Sequence, residues 1–282
     1  MSTTVTSGAP VVGTTVVTTA SAARRAHLDV QLAAVAALGH RRVVVWLDEG
    51  AAPDLPADVV LAVPPGPRGL RLAAARNAGA DRAVADGADL VVFLDADCVP
   101  DTELVTRYAD AARERPDAVL CGPVTYLPEG VEAGDAGVMR RHRAPHAARP
   151  DPAPGILRVA SPDEYPLFWS LSFAVTATRW RQGPRFDEAY EGYGGEDTDY
   201  AFRLREGGVP LVWVGGADAY HQYHPTSSPP RAHLDDILRN GALFAERWHE
   251  WPMLGWLEAF EREGLVRRDG DSWTRAAAPR GR

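Results

Sequence analysis

Three carboxylates sit close behind a pair of glycines in "YEGYGGEDTDYAFRL" (190–204): Glu196, Asp197 and Asp199. Acids opening an amphipathic run can cap a helix, and a carboxylate can also take a proton from a hydroxyl within hydrogen-bond reach. The helix dipole favours the ionised form at such a position, so capping and base chemistry do not compete there. Gly194 and Gly195 let the backbone pass close to a ligand, and Tyr193 offers a flat apolar face. A second acidic pair, Asp95 and Asp97, ends the apolar run "ADLVVFLDADCVP" (88–100). On a strand, residues two apart face the same side, so both carboxylates could address one site. Paired hard oxygens suit Mg2+ or Mn2+, above all where substrate phosphates complete the shell. The plainer reading is that these acids begin a loop and cap the next helix. The pattern also admits a phosphohydrolase or nucleotidyltransferase, with the first aspartate as phosphoryl acceptor.

The bulk numbers narrow the field. The chain has 282 residues, 45% hydrophobic and 24% charged, as in an ordinary globular protein. A formal charge of −8 argues against a nucleic-acid partner. All 30 basic residues are arginine, which excludes a P-loop lysine and a Schiff-base lysine. Any phosphate clamp must therefore use arginine, histidine, backbone N–H groups or a metal. Cys98 and Cys121 form no disulfide framework and no zinc spacing. No apolar run approaches the roughly 20 residues of a membrane span, and the N-terminus lacks signal-peptide character. The expectation is a cytoplasmic protein with no integral membrane association.

These side chains need a scaffold. β-Branched "VVGTTVVTT" (11–19) reads as a strand, followed by a helix over 22–38, strands over 41–50 and 57–63, and a helix over 69–87. The apolar strand 88–100, a helix over 101–116 with Asp101 as N-cap, and a strand over 118–127 continue the alternation. That pattern predicts an α/β fold, a mostly parallel sheet covered on both faces, with its site at the carboxyl ends of the strands. Residues 128–166, rich in Pro, Gly and Arg, read as a functional loop or mobile lid. A strand over 209–214 and "ADAYHQYHP" (217–225) precede a helical tail over 231–266.

With "ARNAG" (75–79), "FLDADCVP" (93–100), "FDEAYEGYGGEDTDYAFRL" (186–204) and "AYHQYHP" (219–225) in this order, the chain resembles the family 2 inverting nucleotide-sugar glycosyltransferases of the GT-A fold. The second half looks like the branch of galactosyl- and N-acetylgalactosaminyltransferases, in which Trp usually stands where this chain has Tyr193. The resemblance covers about residues 11–225. It implies that Thr18, Thr19, Ala20 and Asp48 line the nucleoside pocket, with Arg76 near the phosphates. It puts Asp95 at the ribose or metal, and makes Asp97 and His221 the ligands of Mn2+ or Mg2+. Asp197 becomes the general base, and Glu196, with Trp169, Tyr193, Gly194 and Gly195, the acceptor side. A divalent ion suits the dianionic leaving group, and inversion calls for direct attack by a deprotonated acceptor hydroxyl.

Plainer readings stand beside the rest. His224 is a weaker ligand candidate and Asp199 a structural acid; Ser172 serves the acceptor floor or core packing. The run Arg140, Arg141, His142 and Arg143 is solvated surface or closes over a diphosphate. Trp248, Trp251 and Trp256 are packing residues, with an acceptor or homodimer surface as the alternative. The expected layout is a loose tail (1–10), a GT-A domain (11–230, its nucleotide half 11–127 and acceptor half 160–230), a helical extension (231–270) and a second tail (271–282). The expected activity is transfer of a sugar from a nucleoside-diphosphate sugar, a UDP-hexose or UDP-N-acetylhexosamine, to a soluble saccharide, metabolite or peptide. A non-catalytic sugar-nucleotide-binding scaffold is the alternative outside enzymology.

Overall fold

The computed structural model describes residues 13–276. The first half runs β1 (Thr14–Ala20), α1 (Arg25–Ala37), β2 (Arg41–Trp46), β3 (Val59–Ala62), α2 (Leu72–Ala85), β4 (Leu90–Leu94), β5 (Cys98–Pro100), α3 (Leu104–Glu114), β6 (Val119–Cys121) and β7 (Val124–Tyr126). The second runs α4 (Ala136–Arg141), β8 (Leu157–Val159), β9 (Ser172–Thr176), α5 (Ala177–Gln182), α6 (Glu196–Glu206), β10 (Leu211–Val214), β11 (Ala219–His221), α7 (Leu234–Trp248), α8 (Leu254–Arg262), β12 (Val266–Asp269) and β13 (Ser272–Arg275).

The main sheet has eight strands in the order β3-β2-β1-β4-β9-β6-β10-β8. β1, β2, β3 and β4 pair in parallel, β6 pairs in parallel with β10, and β9 and β8 run against their neighbours. The strands are buried on both faces, which is why Val43, Val44, Val45, Val91 and Val92 read as unbroken apolar runs. One face carries α2, α5 and α6 through Ala80, Val84, Trp180, Tyr200 and Leu204. The other carries α3 through Leu104, Val105 and Tyr108. Gly79 lets α2 sit tightly on the sheet, since a Cβ there would lie 2.5 Å from Val17 Cγ1. Among the described residues, no helix is long and apolar enough to cross a membrane.

A second sheet of three strands, β5-β11-β7, lies at the carboxyl edge of the first. It corrects two expectations. The run 88–100 is not one strand: β4 ends at Leu94, and a turn closed by Cys98 N–H on the Asp95 carbonyl (2.8 Å) hands the chain to β5. The run 118–127 likewise breaks at Gly122, where a Cβ would collide with the Ala217 carbonyl at 2.0 Å.

Residues 128–166 hold more order than a lid. Asp135 caps α4 by accepting from Val138 N–H (2.8 Å), β8 adds an edge strand, and a 3-10 turn over Pro162–Leu167 opens with a Ser161–Glu164 capping box. The expected helical extension also ends early. Val266–Asp269 and Ser272–Arg275 form a hairpin that drops Val266 and Trp273 into an apolar cluster with Leu234, Ile237, Leu257 and Phe260. Residues 272–275, expected in a loose tail, are therefore a strand. The expected N-terminal tail (1–10) and residues 277–282 lie outside the described residues.

Candidate active site

The small sheet explains how distant residues meet. His221 ends β11 opposite both Cys98 and Tyr126, and Gln222 N–H donates to the Asp97 carbonyl at 2.7 Å. Asp97 Oδ1 lies 3.5 Å from His221 Nε2, and its Oδ2 lies 3.4 Å from His224 Nε2. One ligand atom from each of the three falls within 4.8 Å of the others, a spacing that could hold a divalent cation. Burial lowers the His221 pKa and so favours the neutral imidazole that binds metals. Burial alone would raise the Asp97 carboxyl, but the hydrogen bond from His224 and the charges of His221 and Arg24 hold it below its ordinary value. Arg24 joins the cluster, with Nε 3.2 Å from Asp97 Oδ2 and Nη2 3.2 Å from His224 Nε2.

Asp95 does not share this cluster. Both aspartates lie in the turn after β4 rather than on a strand, so the strand argument for a shared face does not apply to them. Asp95 instead accepts from Arg76 Nη2 at 3.2 Å. Desolvation, with the Asp97 and Glu196 charges adding to it, pushes its carboxyl up to about 6 against the pull of Arg76. Arg76, expected beside the phosphates, is nearly sealed and also donates through Nη1 to Glu196 Oε1 at 2.9 Å. It forms an ion-paired bridge between the turn after β4 and the start of α6.

The other nucleoside-pocket candidates lie at the end of β1 and just after β2. Thr18 donates its hydroxyl hydrogen to Gln31 Oε1 (3.0 Å), and Gln31 Nε2 donates to the Asp95 carbonyl (2.8 Å). Thr18 therefore stitches β1 through α1 to β4. Thr19 and Ala20 are buried at the strand end, and Asp48 Oδ2 accepts from Ala22 N–H at 2.5 Å, fixing the loop after β1.

The glycines of the opening motif have two jobs. Gly192, Gly194 and Gly195 all sit in the left-handed region, at φ +77°, +85° and +92°, and Gly195 is the N-cap of α6. They also let the C-terminal helices close on the loop: a Cβ on Gly194 would lie 2.9 Å from Met253 Sδ. Asn240 Nδ2 donates to the carbonyls of Glu191 (3.1 Å), Tyr193 (3.2 Å) and Gly194 (2.8 Å), and Tyr193 N–H donates to Asp236 Oδ2 (3.1 Å). Tyr193 already stacks one face on His233, at 4.3 Å and 14°.

Past this loop, Asp197 is half-buried, and its Oδ1 accepts from Thr198 N–H at 2.7 Å. Desolvation and the neighbouring Glu196 charge push its carboxyl up to about 7, against Arg76 and the Thr198 bonds. Loss of water at this helix start works against the ionised form that the dipole favours. Asp199 is fully buried and holds Arg203, Arg247 and Trp248 Nε1, so it is structural.

Several alternatives resolve here. Arg140 is bound to Asp101 and Arg143 to Asp151 and Asp218, so these arginines pin their segment and do not clamp a diphosphate. Ser172 is buried against Tyr108 Oη at 2.8 Å and belongs to the core. Trp248 serves Asp199, while Trp251 and Trp256 pack in the extension. Trp169 is half-buried, edge-on to His146 at 4.8 Å. Sequence reasoning missed Arg24, Gln31, Asn240 and the exposed Tyr126, whose ring lies 4.6 Å from His221. None of these four lies in a motif that carried the resemblance.

Residues 60–163 match the family described as glycosyl transferase family 2. No curated protein matches the chain in sequence. Among solved structures, S. aureus TarS residues 1–349 is similar at TM-score 0.55 and 14% identity, over 82% of this chain and 64% of that one. A longer S. aureus TarS structure matches at TM-score 0.56 and 12% identity, over 88% and 42%. GalNAc-T7, solved with UDP, GalNAc and Mn2+, matches at TM-score 0.50 and 14% identity, over 85% and 48%. The chain thus spans less than two thirds of each of these relatives. Its motifs, its mixed α/β sheet and its segment 60–163 agree in identifying a GT-A fold bearing the sequence signature of glycosyl transferase family 2.

Proposed function

We propose that the protein is a metal-dependent, inverting glycosyltransferase that moves a sugar from a nucleoside-diphosphate donor to an acceptor hydroxyl. The observation that carries the reading is the pairing of two unlike centres: the Asp97–His221–His224 cluster, and Asp197 beyond the Arg76–Glu196 bridge. A divalent ion held by Asp97, His221 and His224 would stabilise charge on the departing diphosphate. Two imidazoles with one carboxylate suit Mn2+ better than Mg2+, which prefers an all-oxygen shell. Arg24 adds positive charge beside the same carboxylate.

Asp197, tuned to about 7, is poised to accept the acceptor hydroxyl proton near neutral pH. Glu196 and Arg76 hold the start of α6 against the donor-side turn and so fix where that base stands. UDP is the nucleotide we infer, because GalNAc-T7 and a further S. aureus TarS structure are both described with UDP bound. The phosphohydrolase alternative loses support because Asp95 is held by Arg76 instead of standing free as a nucleophile.

The test is thermal shift and donor hydrolysis with UDP-sugars, with and without Mn2+. Stabilisation by UDP that requires Mn2+, together with slow metal-dependent hydrolysis of a UDP-sugar, is expected. Stabilisation by no nucleoside diphosphate in the presence of metal would sink the reading.

A further inference from the structure

Arg149 is about 6% exposed, yet its Nε, Nη1 and Nη2 are all buried without a hydrogen-bond partner. It lies between two indoles, its Cζ 5.5 Å from the Trp169 ring and 5.1 Å from the Trp213 ring. A guanidinium stays charged in a protein and presents five donors in a planar fork that matches carboxylate and phosphate. Aromatic faces attract the cation but accept none of its N–H bonds in the plane of the fork. The nearby acids are engaged elsewhere: Asp151 with Arg143, and Glu164 with Arg158. The segment that carries Arg149 is held in place. His146 N–H donates to the Val124 carbonyl, Ala144 N–H to Thr125 Oγ1, and Arg149 N–H to the His146 carbonyl.

We propose that Arg149 is the recognition point for an oxyanion, a carboxylate or a phosphate group, carried by the acceptor. The inference rests on the glycosyltransferase reading and adds a specificity residue to it. Topology assigns the anion to the acceptor rather than to the donor diphosphate. Trp213 pairs with Cys121 near the carboxyl ends of β10 and β6, three strands along the order β4-β9-β6-β10 from the turn that carries Asp97. The open cleft beside Arg149 lies one strand further still, with Arg158 of the edge strand β8, so an anion entering from it comes from the side away from β4. Trp169, on the acceptor side in the sequence reading, forms one wall of the slot. The guanidinium nitrogens are sealed, so the anion enters from the cleft side, past residues 150–152, leaving the anchored residues 144–149 in place. Residues 147–152 border that open cleft, of about 380 Å³, with Arg158 and Glu164.

The two indoles make the test optical. Tryptophan fluorescence of the full chain is followed on adding sodium phosphate, glucuronate or neutral glucose at constant ionic strength. A saturable change with at least one anion and none with glucose is expected; phosphate or glucuronate as the effective probe tells the two sources apart. Arg149→Met should abolish the response and melt no lower than wild type without anion, since it removes an unpaired buried charge. Arg149→Lys, which keeps the charge but loses the fork, should weaken the response at least about tenfold. No saturable response in wild type, or an equal one in Arg149→Met, overturns the proposal. So does an Arg149→Met chain that fails to fold beside an Arg149→Lys chain with an unchanged response. The UDP and Mn2+ thermal shift is run in parallel and should be the same in wild type and Arg149→Met. Its absence in wild type would condemn the donor reading, whatever the anions do.

Discussion

Arg76 donates to Glu196 at 2.9 Å across 120 residues of sequence, and its second nitrogen reaches Asp95 at 3.2 Å. One guanidinium therefore bridges two carboxylates that would otherwise repel. Removing one partner of a buried pair leaves uncompensated charge, at a cost of about 3–5 kcal/mol. Arg76→Met should destabilise the protein by about that amount, read from the urea midpoint. Glu196→Gln, which keeps the shape and leaves Asp95 paired, should cost clearly less. A cost below about 1 kcal/mol for Arg76→Met would show that the bridge does not hold the site together.

The pH behaviour of Asp197 follows from its raised pKa. Between the ordinary 3.8 and about 7, the folded protein holds a proton that the unfolded chain has released. The associated stability is complete below pH about 4 and is lost as pH rises through about 7. Asp197→Asn cannot ionise, so its melting temperature should gain on wild type between pH 5 and pH 8. Turnover needs the ionised form, so it should rise with pH to a plateau above about 7. Asp197→Asn should lower kcat by about 10²–10⁴-fold while UDP affinity stays within about twofold. Near-normal turnover in this variant would remove Asp197 as the base.

Much of this was legible in the sequence, and the misses share a cause. The parallel half announced itself because buried strands such as "VVVW" and "LVVFL" carry unbroken apolar runs between helical periods. Asp97 and His221 were readable as motif positions. What the sequence hid were places where an apolar run changes sheet. "ADLVVFLDADCVP" looks continuous, yet the turn at Asp95 separates two sheets and sends its two aspartates to different partners. Arg24, Asn240 and Arg149 were invisible for another reason. Each acts through a contact more than 40 residues away or through missing partners, and neither leaves a local pattern.

The histidine pair makes a sharp comparison. If both imidazoles bind the ion, His221→Ala and His224→Ala should each weaken Mn2+ binding by at least about tenfold, measured by calorimetry or by the Mn2+ dependence of the UDP thermal shift. The double variant should then resemble Asp97→Ala. Normal Mn2+ affinity in His224→Ala would leave His224 as a partner of Arg24 and Asp97 rather than a ligand.

The C-terminal extension should matter to catalysis although it supplies no reacting group. Asn240 ties its helix to three carbonyls of the glycine loop, two residues before Glu196 at the nearest. Asn240→Ala leaves these acceptors short of a partner, so a loss of about 1–3 kcal/mol is expected. Gly194→Ala adds a strained φ of +85° and a clash with Met253, and should cost a similar amount. Both variants should lower kcat more than they weaken UDP binding, because the loop runs directly into Asp197 while the proposed nucleotide side lies at β1 and β4. Arg231→Ala breaks only the outer pair with Glu263 and serves as the control, with turnover expected to be unchanged. If Asn240→Ala loses stability but turns over at the wild-type rate, the extension braces the fold without positioning the base.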